Sequence, residues 1–135
     1  MKSPTWQTKA GQNEISITAH GEVETIDRLG IMDEKNELIP QGYFSKITPR
    51  THAGRGIRSI AKKIDGTVNL LAGLHSLSNM ILDAVPYCLA KTTAKTTAEE
   101  AFNAGVGVCQ DHTQIFIAAA RQLGIPARYV SGYLL

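Results

Sequence analysis

The hydrophobic pattern divides the chain into an alternating stretch near the N-terminus and a second half with helical periodicity. Residues 14–25 alternate apolar and polar side chains, which predicts a strand with one buried face. Residues 26–51 show weak periodicity and contain glycines and prolines that indicate turns. The apolar side of the predicted strand comprises Ile15, Ile17, Ala19, Gly21 and Val23.

From residue 54 onward, apolar side chains recur every three or four residues, as on one face of an α-helix. The pattern predicts a short helix over residues 57–64 and a longer helix from about residue 67 to residue 85, stopped by Pro86. Thr97 and Glu100 have the spacing of a capping box, which predicts a third helix closed by Gly105. The face of the longer helix predicted to be buried comprises Leu70, Leu71, Leu74, Leu77, Ile81 and Val85.

A fourth helix is predicted from Cys109 to Leu123. Gly124 stands where a left-handed C-terminal cap belongs, and Pro126 prevents continuation. Residues 127–134 then alternate, which predicts a strand packed beside this helix. The apolar stripe of the helix comprises Ile115, Phe116, Ala119, Ala120 and Leu123.

The predicted start of this helix gives Cys109 a chemical role. Free N–H groups and the helix dipole favour negative charge at a helix N-terminus, so a thiolate there is stabilised. A thiolate is a nucleophile, and a neighbouring backbone N–H can hold a developing oxyanion. Gly105 and Gly107 suit a sharp turn close to a substrate. The alternative is that Cys109 is a small buried hydrophobic residue with no chemical role.

The neighbours of Cys109 have simpler interpretations. Gln110 can contribute a donor to an oxyanion hole, whereas the position of Asp111 is typical of an acidic residue that complements the helix dipole. His112 lies in the same first turn, so it cannot readily face the thiolate as a general base. Adjacent positions on one helix splay around its axis, so we predict no metal site. The remaining histidines, His20, His52 and His75, are also not assigned to catalysis.

Composition narrows the class of protein. The 14 basic and 12 acidic side chains nearly balance, so we predict no nucleic-acid partner. No cofactor is expected. The two cysteines allow one disulfide at most, and reduced thiols are the default expectation. No apolar run reaches membrane-spanning length and no signal core follows Met1, so we predict a cytoplasmic protein without a membrane partner.

The chain resembles the bacterial transglutaminase-like cysteine peptidase family over a gapless run from Gly105 to Tyr133. The similarity is carried by Gly-Val-Gly-Val-Cys-Gln-Asp-His at residues 105–112, the helix after it, and Leu-Gly-Ile-Pro-Ala-Arg-Tyr-Val-Ser-Gly-Tyr at residues 123–133. Tyr87 and residues 96–102 also fit the approach to the cysteine. The resemblance implies that Cys109 is the catalytic nucleophile. The aromatic side chains of the strand predicted after the helix, Tyr129 and Tyr133, can line a substrate cleft, although at least one of them is expected to fill the core instead.

The resemblance also implies an α+β fold, an incomplete papain- and transglutaminase-like core with the cysteine at a helix N-terminus and a strand after it. Residues 1–50 would be a remnant of a preceding β region with its linker, and residues 51–135 a partial core. Family members carry a histidine and then an acid well downstream, and no residue here matches either. We therefore expect a slice of a longer protein, whose unpartnered strand edges favour a homo-oligomer.

Two functions from different classes follow. The first is a cysteine peptidase or amide hydrolase in which Cys109 attacks a peptide or isopeptide carbonyl to give a thioester, with protein or peptide as the substrate. The second is a catalytically incomplete scaffold or protein-interaction module. Loss of the base and its orienting acid lowers the rate by orders of magnitude, so the isolated chain is expected to be nearly inactive.

Overall fold

The computed structural model describes residues 21, 22, 24, 26, 39–64, 66 and 68–131. The chain divides into two compact units, Met1–Asn36 and Glu37–Leu135. The strand predicted over residues 14–25 falls mostly outside the described residues, and those of its residues that are described, Gly21, Glu22 and Glu24, are exposed. The domain boundary predicted after residue 50 stays a prediction.

The regular secondary structure in the described residues of the second unit consists of helices. Single 3-10 turns at Gln41–Tyr43 and Pro49–Thr51 precede the α-helices. These are α1 (Arg55–Ala61), α2 (Leu70–Ala84), α3 (Ala98–Ala104) and α4 (Cys109–Gln122). All four helices predicted from the periodicity are confirmed, each within a few residues of its expected bounds.

Helix α4 forms the centre of this unit because it packs against α1, α2, α3 and the Pro49–Thr51 turn. Its sequence is unusually rich in small side chains on the inner faces, and this lets three helices approach it closely. Ile57, Leu77 and Ile115 are the largest apolar side chains buried completely, and they come from α1, α2 and α4. The core also contains Ile60, Ala61, Ile81, Val85, Ala98, Ala101, Ala118 and Ala119.

The buried face of α2 is shorter than its periodicity predicts. Leu77 and Ile81 are buried, and so is Val85 directly after the helix, but Leu70 and Leu71 are 54% and 65% exposed. The helical pattern identifies the apolar face correctly, but it does not show which turns of that face have a neighbour. The prediction that Leu70 and Leu71 belong to the core is therefore wrong.

The ends of α3 and α4 follow their predicted caps. The Thr97 side chain accepts a hydrogen bond from the Glu100 amide, and the Glu100 carboxylate accepts one from the Thr97 amide at 2.8 Å. Gly105 then ends α3 with a φ of 64°. At the end of α4, Gly124 has a φ of 75°, and the Ile125 amide donates to the Ala120 carbonyl at 2.9 Å. Both glycines occupy the left-handed conformation that a side chain would strain.

The predicted α+β fold class, a papain- and transglutaminase-like core with a strand after the cysteine helix, is wrong for the described residues. Residues 126–131 form no strand, and the β pairing in this part of the chain is a single bridge between Tyr87 and Gly107. The Ala127 amide donates to the Phe44 carbonyl at 3.1 Å, a contact with a loop. Alternation describes side chains only, and a strand also needs a neighbouring strand for its backbone.

Candidate functional site around Cys109

Cys109 is the first residue of α4, and its thiol is exposed. The N-cap residue, Val108, is extended, and its carbonyl accepts hydrogen bonds from the amides of Asp111 and His112 at 2.9 Å and 3.1 Å. The sulfur therefore lies at the end of the helix that carries the positive dipole. This confirms the predicted position of Cys109, whereas its role as a nucleophile stays a prediction.

A tightly packed turn leads into Cys109. The Gly107 amide donates to the Pro86 carbonyl at 3.2 Å, and the Gly107 carbonyl accepts from the Cys88 amide at 2.8 Å. A Cβ atom at Gly107 would lie 2.8 Å from the Cβ of Asp111, which is too close for any side chain. The turn therefore joins the segment after α2 to the start of α4, and it requires glycine at this position.

Asp111 is buried, with 2% of its surface exposed. Its Oδ2 accepts two hydrogen bonds, from the Val108 amide at 2.8 Å and from the Thr92 hydroxyl at 2.6 Å. The sequence predicted only a favourable interaction of Asp111 with the helix dipole, and neither of these hydrogen bonds was predicted. The spacing of Val108 and Asp111, three residues apart across a helix start, was the available signal for the first bond.

His112 is held on the side of α4 that faces the end of α2. Its Nε2 donates to the Val85 carbonyl at 2.6 Å, and its ring lies edge-on to Tyr87 with centroids 6.3 Å apart. The structure therefore pairs the His112 ring with the backbone of Val85, the residue that directly follows α2. His52 and His75 are exposed, and His20 lies outside the described residues.

The first-turn amides beside the thiol are open. Within the described residues, neither the amide of Cys109 nor that of Gln110 has a hydrogen-bond acceptor, and no hydrogen bond reaches the thiol. Gln110 is partly exposed next to Cys109. These two N–H groups can donate to an anionic oxygen that forms near the sulfur.

The two predicted cleft tyrosines have different outcomes. Tyr129 is 46% exposed and follows Arg128, whose guanidinium lies 5.2 Å from the centre of the Phe44 ring. Tyr133 lies outside the described residues. The structure does not bring Tyr129 into a hydrogen bond with any group around Cys109, so its role in a substrate cleft stays a prediction.

A cleft of about 450 Å³ opens between α2 and α4, one helical turn from Cys109. The Thr113 hydroxyl, at the near end of the cleft, donates to the Cys109 carbonyl at 2.8 Å. The walls are mainly apolar and are formed by Ser78, Ile81, Leu82, His112, Thr113, Phe116, Ile117, Ala127 and Arg128.

The family model of the transglutaminase-like superfamily matches residues 58–135, which include most of α1 and all of α2, α3 and α4. The chain belongs to the transglutaminase-like superfamily. The match includes Cys109, Asp111 and the glycine turn before them, so the site described above lies wholly inside the region that defines the family.

Mycobacterial proteins resemble this superfamily member. An uncharacterized protein of Mycobacterium leprae is 21% identical over 93% of the chain and 48% of its own length. An uncharacterized protein of Mycobacterium bovis is 40% identical over 48% of the chain and 21% of its own length. A protein of Mycobacterium tuberculosis matches to the same extent. The chain thus spans about half the length of the M. leprae protein and about a fifth of the length of the other two. No solved structure matches it significantly.

Two further properties of the described residues concern metals and membranes. They contain no group of three or more His, Cys, Asp or Glu side chains arranged to hold a metal ion. None of the helices in this part of the superfamily member combines the length and apolar character needed to cross a bilayer.

Proposed function

We propose that Cys109 is the nucleophile of a transglutaminase-like cysteine peptidase or amide hydrolase that acts on protein or peptide substrates in the cytoplasm. The observation that carries this proposal is the exposed thiol at the first residue of α4, inside the matched family region. The open amides of Cys109 and Gln110 support it, because they can stabilise an oxyanion beside the sulfur.

In the proposed reaction, the thiolate of Cys109 attacks the carbonyl carbon of a peptide or isopeptide bond. A carbon–sulfur bond forms, the carbonyl oxygen becomes an oxyanion, and the carbon–nitrogen bond then breaks to leave a thioester. The departing amine takes a proton, and water releases the acyl group as a carboxylic acid and regenerates the thiol. Hydrolysis is favoured over crosslinking by the family resemblance.

Amide cleavage also needs a group that takes the proton of the thiol and gives one to the leaving amine. His112 is engaged with the Val85 carbonyl, and the described residues provide no hydrogen bond to the thiol. We therefore propose that the histidine implied by the family resemblance comes from another part of the protein. The alternative function, an incomplete scaffold, shares this observation and differs only in the reactivity of Cys109.

An activated ester tests the nucleophile separately from the general base and general acid that amide cleavage needs. The phenolate of p-nitrophenyl acetate leaves without being protonated, so a competent thiol needs no general acid to be acetylated. We expect one equivalent of p-nitrophenolate to be released rapidly, with the acetyl group mapped to Cys109 by mass spectrometry. Cys109→Ala should abolish this burst, and Cys88→Ala, at the other free cysteine, should retain it.

The comparison that decides between the two functions is the rate in the folded chain against the rate in urea. Exposure alone cannot make a folded thiol react faster than the same thiol in an unfolded chain, whereas stabilisation of the thiolate and oxyanion can. Faster acetylation of Cys109 in the folded state supports the proposal. Equal or slower acetylation would leave the scaffold as the function.

A further inference from the structure

We infer that Asp111, together with Thr92, is a positioning residue that holds Cys109 at the start of α4 while leaving the neighbouring amides open. This inference rests on the proposed function of Cys109. Asp111 is a buried carboxylate that the reaction itself does not use. One of its two hydrogen bonds comes from Val108 in the turn before Cys109, and the other comes from Thr92 in the connector between α2 and α3.

The type of cap is the first argument. A Ser, Thr, Asp or Asn at the N-cap normally accepts a hydrogen bond from the second or third helical amide, which in α4 would be that of Gln110 or Asp111. Here the N-cap is Val108, which has no acceptor in its side chain. Asp111 instead reaches back and accepts from the amide of Val108, outside the helix. The helix start is fixed, and the amides of Cys109 and Gln110 remain available.

Two chain segments, the turn before Cys109 and the connector before α3, converge on Asp111. Oδ2 binds the Val108 amide and the Thr92 hydroxyl, which belongs to the connector before α3. The Cβ of Asp111 packs so closely on Gly107 that no side chain fits between them. The two hydrogen bonds and the close contact restrain the Asp111 side chain together. They thereby hold the Gly107–Val108 peptide, just before Cys109, in one orientation.

The connector between α2 and α3 runs into α3 through the tandem sequence Lys-Thr-Thr-Ala, residues 91–94 and 95–98, and its threonines form hydrogen bonds. Thr92 in the first copy binds Asp111. The Thr96 hydroxyl in the second copy accepts a hydrogen bond from the Thr93 amide at 2.9 Å, and Thr97 caps α3. The repeat is therefore a hydrogen-bonded strap between the cysteine turn and the start of α3.

Charge repulsion alone would make Asp111 slow the reaction of Cys109, which is the opposite of a positioning role. A carboxylate two residues from a thiolate disfavours the thiolate by repulsion between like charges, so its neutralisation should accelerate the thiol. If Asp111 acts through position, loss of its acceptor should slow the thiol, and a neutral acceptor should restore it. Asparagine provides that acceptor, because both hydrogen bonds run to the same oxygen atom.

The experiment measures the rate constant of Cys109 acetylation by p-nitrophenyl acetate in four variants, with circular dichroism of each. We expect Asp111→Ala to be slowed about tenfold, because small misplacements of a reacting group have effects of this order or larger. Asp111→Asn should react at the wild-type rate, and Thr92→Val should be slowed about threefold. Ser59→Ala, at an exposed position on α1 outside the connector, should be unchanged.

The midpoint of urea denaturation serves as the control for general loosening of the fold, because Cys88 is itself bonded to Gly107 in the turn under test. A wild-type rate in a folded Asp111→Ala variant would overturn the inference, and so would an Asp111→Asn variant as slow as Asp111→Ala. If Asp111→Ala does not fold, a wild-type rate in Thr92→Val has the same meaning.

Failure of the proposed function gives a different result. In that case Cys109 of the wild-type chain is acetylated no faster in the folded state than in urea. The same variants are then compared by iodoacetamide alkylation of Cys109, which requires only that the sulfur be presented. Slower alkylation in Asp111→Ala than in Asp111→Asn supports the positioning role, and equal rates refute it.

Discussion

At Gly107 the backbone passes so close to Asp111 that a single methyl group would change the turn. A Cβ there would lie 2.8 Å from the Cβ of Asp111 and 3.1 Å from its Oδ2. We expect Gly107→Ala to lower the free energy of unfolding by about 1–3 kcal/mol, since overpacking forces the neighbouring backbone to move. Thermal or urea denaturation monitored by circular dichroism measures the change.

Gly42→Ala is the matched control for this prediction. A Cβ at Gly42 meets no atom within 4 Å, so this substitution should change the stability by less than about 0.5 kcal/mol. Equal stability of the two variants would show that the contact between Gly107 and Asp111 relaxes without cost, and would remove one of the three restraints on the cysteine turn.

The same turn shows what could be predicted for single residues. Cys109 was found from the sequence because its signals are local: a glycine turn, a helix start and a family motif. The partners of Asp111 and His112 were missed because Thr92 and Val85 lie 19 and 27 residues away in the chain. Residues that far apart carry no periodic relation, so only the packing of the helices brings them together.

For whole elements, the sequence predicted what depends on helical periodicity and caps. The bounds of α4 and the two glycine caps follow from contacts within five residues, and all are confirmed. The strand predicted over residues 127–134 failed in its described part, residues 127–131, because pairing depends on a distant segment. Tyr129 and Val130 are 46% and 60% exposed, so no sheet covers this stretch in the described part of the chain.

The capping box of α3 should make the stability of the fold depend on pH. The amide and then the hydroxyl of Thr97 donate hydrogen bonds to Glu100 and hold its pKa below the usual 4.5. A carboxyl group with a lowered pKa in the folded state stabilises the fold above its unfolded pKa, and this contribution is lost as the pH falls through the folded value. We therefore expect the melting temperature of the wild type to fall more steeply than that of Glu100→Gln below about pH 4.5.

The glutamine introduced in that variant still accepts a hydrogen bond from Thr97 but does not titrate, which isolates the protonation of Glu100. Glu24→Gln, at an exposed position in the first unit, corrects for the change in net charge. The measurement is the melting temperature from neutral pH down to roughly pH 3. Parallel curves for the wild type and Glu100→Gln would show that the ionised form of Glu100 contributes nothing to the stability of the fold.

On the scale of the whole second unit, one side chain joins segments that are far apart in sequence. Arg121, near the end of α4, donates to the Phe44 and Lys46 carbonyls at 2.7 Å each and to the Thr51 hydroxyl at 2.9 Å. It also donates to the Ala127 carbonyl at 2.7 Å. Desolvation by partial burial lowers the pKa of the guanidinium. Arg121 thus connects the loop before α1 with the segment after α4.

These contacts use the planar, forked geometry of the guanidinium, which a lysine cannot reproduce although it keeps the charge. We expect Arg121→Lys to lower the free energy of unfolding by roughly 2–4 kcal/mol, because several carbonyls would lose a charged donor at once. Arg58→Lys, on the exposed face of α1, should change it by less than about 0.5 kcal/mol. Urea denaturation gives both values. If the two variants are equally stable, the loop before α1 and the segment after α4 are held by their own apolar contacts, and Arg121 merely lies between them.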